Sequence, residues 1–163
     1  EAEYDAKLLD SFSESSPAKV EISFRNKTDA TKEFEFSASP PFSGLLGRPA
    51  ENPRDGLVLI PEHSNGHADF YRTEEPQTVF EDPTDAIPDE PTGSCWEALG
   101  TIDHEPIQTV RTIKAGDTLT NTYHVLESAK GTDCYQANRY YFESNSHFDS
   151  KSRWGFQLIL DFG

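Results

Sequence analysis

The segment Trp154-Gly155-Phe156-Gln157-Leu158-Ile159-Leu160-Asp161-Phe162 decides the fold class. Trp154, Phe156, Leu158, Leu160 and Phe162 fall on one parity, which is the period of a strand with one buried face. Two preceding segments repeat the pattern. Asp117 to Leu126 (DTLTNTYHVL) sets Leu119, Tyr123 and Val125 against mostly polar residues. Ala137 to Ser144 (ANRYYFES) sets Tyr140 and Phe142 against Arg139, Tyr141 and Glu143. Ala115-Gly116-Asp117 and Lys130-Gly131-Thr132-Asp133 read as the turns around them, with glycine available for positive φ. Three such segments in a row predict antiparallel strands with one buried face over Thr109 to Gly163.

Outward from this block, Ala18 to Arg25 alternates Val20, Ile22 and Phe24 with Lys19, Glu21, Ser23 and Arg25. Lys32 to Ala38 alternates Phe34 and Phe36 with Glu33 and Glu35. Asn26 to Ala30 lies between them, so the pair reads as a β-hairpin with a longer loop. Asn26-Lys27-Thr28 is also a glycosylation sequon in that turn, which makes Asn26 the candidate acceptor.

Residues 1–16 are acidic and then serine-rich. Tyr4, Leu8 and Leu9 fit a short amphipathic helix; Ala6, Leu8 and Phe12 fit an extended segment. A free tail has no use for these apolar residues, so the segment is expected to dock on this domain or on a neighbouring copy. An extended segment adding to an open sheet edge is one route to chain-to-chain assembly.

From Pro40 to about Thr109 the chain changes character. It holds ten of the 11 prolines, and only short strands fit: Leu57 to Ile60, Ala68 to Tyr71, Thr78 to Phe80 and Cys95 to Leu99. The region reads as long ordered loops inserted into the sheet framework. No Lys or Arg occurs between Arg72 and Arg111, while ten acidic residues do.

The chain has 163 residues, enough to bury about two-thirds of its unfolded surface without an obligatory metal or disulfide. Its formal net charge is −15, from 29 acidic and 14 basic residues. Such a surface repels nucleic acid and anionic membranes. It also works against compactness unless salt screens it, and the Debye length falls to about 3 Å near 1 M. An acidic excess with seven lysines is the composition expected of a halophilic source, the alternative being an ordinary acidic secreted protein. There is no methionine, which is expected of a processed, exported chain. No apolar run reaches the roughly 18 residues of a membrane span.

Cys95 and Cys134 are the two cysteines. In an exported protein an even count predicts a disulfide, and closing a loop of that length contributes about 3–4 kcal/mol if unstrained. Candidate chemistry is sparse. Glu81, Asp82 and Asp85 in the acidic loop are candidate Ca²⁺ ligands, although their spacing matches no EF-hand. His63 and His67 flank a turn and lack further zinc ligands, and His124 falls on the polar parity of its strand, where a surface position is expected. No G-x-S-x-G, phosphate loop, dinucleotide fingerprint or aromatic–basic patch is present, so no catalytic or cofactor-binding residues are assigned and the chain is not read as an enzyme.

Several segments together resemble Ig-like domains. Val20 to Asn26 with Lys27-Thr28-Asp29 and then Lys32 to Phe36 is similar to their opening strands. Ile113-Lys114-Ala115-Gly116-Asp117-Thr118-Leu119 is similar to an internal turn of theirs, with Ala115 in place of the usual proline. Tyr140-Tyr141-Phe142 followed by Trp154-Gly155-Phe156 to Leu160 resembles their closing hairpin. The nearest shape is the Ig sandwich of the intracellular proteinase inhibitor family, and more specifically exported haloarchaeal domains in which a Gly-x-Cys-Trp segment (Gly93 to Trp96) and a later cysteine (Cys134) bracket the penultimate strands. The resemblance covers roughly residues 17–39 and 109–163. The Pro-rich middle has no counterpart in the short inhibitor domains.

The sequence thus predicts an all-β, Ig-like antiparallel sandwich over 17–163, with an insertion at about 40–108 and an N-terminal extension over 1–16. The expected role is non-catalytic: an extracellular or cell-surface structural module of a halophilic archaeon, self-associating or joined to other surface proteins. Its sharp form is a filament subunit linked by N-terminal strand donation. The alternative is a monomeric surface binding module such as a protease inhibitor, with the Pro-rich loops as its contact surface.

Overall fold

In a computed structural model the described residues are 2–36, 39–42, 46–47, 56–63, 68–72, 79–80, 82–93, 95–104, 109–127, 139–143 and 154–159. They form twelve strands: β1 (Ala2–Asp10), β2 (Ala18–Asn26), β3 (Lys32–Phe36), β4 (Leu46–Gly47), β5 (Leu57–Pro61), β6 (Ala68–Arg72), β7 (Val79–Phe80), β8 (Gly100–His104), β9 (Thr109–Ile113), β10 (Thr118–Glu127), β11 (Arg139–Glu143) and β12 (Gly155–Ile159). The one helical element among them is a single 3₁₀ turn, Pro83–Ala86. The chain is all-β, and every ladder between named strands is antiparallel.

The central sheet has the order β1-β2-β10-β5-β4. β2 buries Val20, Ile22 and Phe24, and β10 buries Tyr123 and Val125, on the parity that the sequence predicts. Over this face lies an aromatic cluster containing Phe42, Tyr140, Phe142 and Leu158, with Trp154 and Phe156 against it. β11 and β12 form a hairpin with Tyr140 opposite Leu158 and Phe142 opposite Phe156, and the two phenylalanine rings stack at 5.1 Å. The outward parity of β11, Arg139, Tyr141 and Glu143, is exposed as predicted. At one end the pair β3–β9 contributes Phe36 and Ile113 against Phe24 of β2.

β5 is buried on both faces. Leu57 and Leu59 join the aromatic cluster, while Val58 and Ile60 join Ala86, Trp96, Ala98 and Leu126 on the other side. This explains its unalternating Leu-Val-Leu-Ile run, since a strand covered on both faces has no reason to alternate. The Pro-rich middle therefore supplies a central strand of the main sheet as well as loops and a separate sheet of order β7-β6-β8.

Two expectations are corrected and one open alternative is decided. The closing strands do not share a sheet: β10 pairs with β2 and β5, and β11 pairs with β12. Alternation marks which face of a strand is apolar but names no partner, and facing apolar surfaces across a layer buries them as well as pairing edge to edge does. β2 and β3 do not form a hairpin, because β3 pairs with β9 in another sheet. The turn after Asn26 instead carries the chain between layers, which lets Phe24 meet Phe34 and Phe36 edge-on at 4.8 and 5.1 Å. Of the two readings of the N-terminal segment, residues 2–10 take the extended one: Tyr4 and Ala6 on one parity meet the core, while a helix would have left them on different faces.

Candidate functional site

The seat of β1 is built around the Tyr4 ring, on which residues from distant stretches of the chain converge. Register places Tyr4 opposite Phe24, Ala6 opposite Ile22 and Leu8 opposite Val20. Tyr4 stacks on Trp154 at 4.8 Å, meets Phe24 edge-on at 4.9 Å and donates its hydroxyl to the Pro41 carbonyl at 3.2 Å. Burial pushes its phenol up to about 12. Beyond the strand, Phe12 packs against both core clusters, and the Trp96 indole N–H donates to the Ser13 carbonyl at 2.8 Å. The Ser13 hydroxyl accepts from the Ser15 and Ser16 amides, closing the turn into β2.

The segment Ser39 to Phe42 forms one wall of this seat. The Pro40 and Pro41 carbonyls accept from side chains, which satisfies acceptors at the edge of the core. Asn121 Nδ2 donates to Pro40 at 3.1 Å and to His63 at 2.9 Å, and Tyr4 serves Pro41. The Tyr123 hydroxyl donates to the Ser39 carbonyl at 2.9 Å and accepts from the Phe42 amide at 3.2 Å. Complete burial raises the Tyr123 phenol far above its ordinary range.

Asn26, the candidate glycan acceptor, is fully buried. Its Nδ2 donates to the Ala30 and Ile113 carbonyls, both at 2.9 Å, and its Oδ1 accepts from the Thr28 amide and hydroxyl at 3.0 and 2.7 Å. Its own backbone bonds Asp117 and Gly116, the latter in the left-handed region at φ 79°. One side chain thus stitches both turns by which the chain passes between layers. A glycan on Asn26 would take one of the two Nδ2 protons that these bonds use, at a site buried in this fold.

Of the Ca²⁺ candidates, Asp82 caps the 3₁₀ turn, accepting from the Thr84 amide at 3.0 Å and hydroxyl at 2.9 Å. Asp85 is exposed, and Glu81 lies outside the described residues. No group of three His, Cys, Asp or Glu among the described residues is arranged to hold a metal ion. His67 lies outside the described residues, as do most of the Pro-rich loops of the inhibitor-like reading. Cys95 carries its sulfur in a disulfide, and Cys134 lies outside the described residues.

His124 is not a surface residue. Its side chain is 14% exposed, with Nε2 3.2 Å from Glu62 Oε1 and Nδ1 buried without a partner. Burial holds the imidazole below its ordinary range; Glu62 pulls the other way and neighbouring Lys19 adds to the depression. Sequence parity placed His124 opposite the face of Tyr123 and Val125 but carried no sign that β5 would pair beside it, with Ile60 in register, or that Glu62 would reach its Nε2. Among the described residues no helix is long and apolar enough to cross a membrane. Comparison of the chain with protein-family models, with curated proteins and with solved structures finds no match.

Proposed function

We propose that this protein is a non-catalytic structural module, exported by a halophilic organism and built to associate through its N-terminal strand. The observation that carries the reading is the seat of β1. A strand at the end of the sheet, with β2 as its one neighbour among the described residues, inserts an aromatic anchor, Tyr4, between Trp154 and Phe24. The seat accepts β1 from its own chain, and the same contacts are available to β1 of a second copy. Exchange requires that β1 leave its ladder with β2 and withdraw Tyr4 from its seat, and that the turn through Ser13, held by Phe12 and the Trp96–Ser13 bond, open; the second copy's β1 then restores the same ladder and ring contacts. Exchange between successive copies yields an open polymer when it does not close on itself. The framework is an Ig-like sandwich with the aromatic cluster between its layers, and Cys134 is the disulfide partner of Cys95. Peptide mapping under non-reducing conditions should recover those two cysteines in one linked pair.

Electron microscopy and sedimentation at high salt test the assembly. Concentrated protein should form polymers, and deleting residues 1–16 should abolish them. A monomer at every concentration, or polymers unchanged by the deletion, overturns the reading. Locking β1 to β2 within one chain with E3C/R25C, an exposed pair in register, should also prevent polymerisation.

A further inference from the structure

The outer edge of β1 is a second, independent feature. β1 is nine residues long and ends the central sheet, so among the described residues one of its two backbone edges is unpaired. Such an edge is a template for another strand unless its side chains forbid it. Here they forbid most alignments and permit one.

Two copies meeting antiparallel at this edge are related by a two-fold axis perpendicular to the sheet, so the axis passes between one residue and its equivalent. Centred on Tyr4, the pairing sets Glu3 opposite Asp5. Centred on Asp5 it sets two aspartates face to face, and centred on Lys7 two lysines. Centred on Ala6, it sets Asp5 of each copy opposite Lys7 of the other, twice, on the face that carries Glu3. The opposite face then pairs Tyr4 with Leu8, which is 38% exposed in the single chain. Glu3 meets Leu9, which is 41% exposed. The bulge between Leu8 and Asp10 ends the regular edge, leaving the five residues from Tyr4 to Leu8 to pair.

We infer that the β1 edge is a homodimer contact, in which two copies pair Tyr4–Leu8 antiparallel about Ala6 and fuse their central sheets into one. The partner is a second copy of this chain, selected by the Asp5–Lys7 complementarity. The edge exists whether β1 is seated in its own chain or in a neighbour's, so the contact stands or falls apart from strand exchange. In an exchanged polymer it would join strands of polymer side by side.

Five residues per copy make an interface below the standard size, so association is expected at concentrations up to about 1 mM. Because each copy carries a net charge of −15, dimer should increase with salt as long-range repulsion is screened. The test is sedimentation equilibrium on the E3C/R25C-locked protein at intermediate salt, with D5K and the swap D5K/K7D in the same background. D5K reduces the net negative charge, which by itself favours association, yet it sets lysine opposite lysine twice. It should weaken the dimer about tenfold, and the swap, which has the parental net charge, should restore it. A locked protein that stays monomeric throughout, a D5K protein that dimerises as well as the parent, or a swap that fails to recover would each overturn the contact.

Discussion

β5 and β1 belong to the same sheet and are held in opposite ways. β5 has five residues, all buried, with a strand on either side and apolar clusters on both faces. β1 has nine residues, of which only Tyr4 and Ala6 are as much as half-buried, and among the described residues its one neighbour is β2. The longer strand pairs along its length with β2 but meets the core mainly through one ring. Backbone pairing exchanges water for protein partners at little net gain, whereas burying apolar area stabilises more. A strand can therefore be fully formed and still be exchangeable, and assembly through β1 depends on that difference.

The largest expected effect lies on the β5 side. Leu59→Ala should cost about 2–5 kcal/mol by emptying a fully enclosed site, and chemical denaturation should show it as a global loss of stability. If Leu59→Ala leaves the midpoint unchanged, β5 is not central. Asn26→Ala should come next, at about 2–4 kcal/mol, because it strands the Ile113 and Ala30 carbonyls and the Thr28 amide at the corner. Asn26 should also be recovered without glycan by mass spectrometry of folded material.

Tyr4→Ala should cost about 1–3 kcal/mol, and the loss should be local. Hydrogen exchange over 2–10 should accelerate while the amides of β5 and β10 keep their protection. Equal acceleration in all three strands would erase the contrast between β5 and β1. Alkali gives a second view of the same anchor. The phenol is raised from 10.0 to about 12 in the fold, so its contribution is whole below pH 10 and is lost as pH rises toward 12. Tyr4→Phe should flatten that stretch of the stability profile.

The smallest effect concerns His124, beside β5. Its folded value lies below the ordinary 6.5, so the unfolded chain takes up the proton first as pH falls. The neutral imidazole favours the fold above pH 6.5, and stability declines as pH drops from there toward the folded value. His124→Gln should reduce that decline in thermal melts between about pH 7 and 5. An unchanged slope would assign it to carboxylates elsewhere.

Much of the fold was legible in the sequence as faces and not as partners. The alternation of Val20, Ile22 and Phe24, of Tyr140 and Phe142, and of Trp154, Phe156 and Leu158 identified strands and their inward sides correctly, because period 2 is a local property of an extended backbone. The same alternation could not say that β2 and β3 would part into different sheets. That depends on Asn26, whose amide closes one turn in its own vicinity and another through Ile113, 87 residues away. The β1 seat was legible only as a few apolar residues in an acidic segment; Trp154, Phe24 and Pro41 converge on Tyr4 from three distant stretches.

The sequence alone determined the all-β class, the inward parity of the main strands, and a charge of −15 that demands screening. These follow from residue type and spacing, which need no knowledge of the partner. The tertiary structure decided which strands pair, that the Leu57–Pro61 run is central, that Asn26 is a structural corner, and that Tyr4 pins β1 at an edge unpaired among the described residues. Those are contacts between residues far apart in the chain, and only closing the sheets brings them within reach.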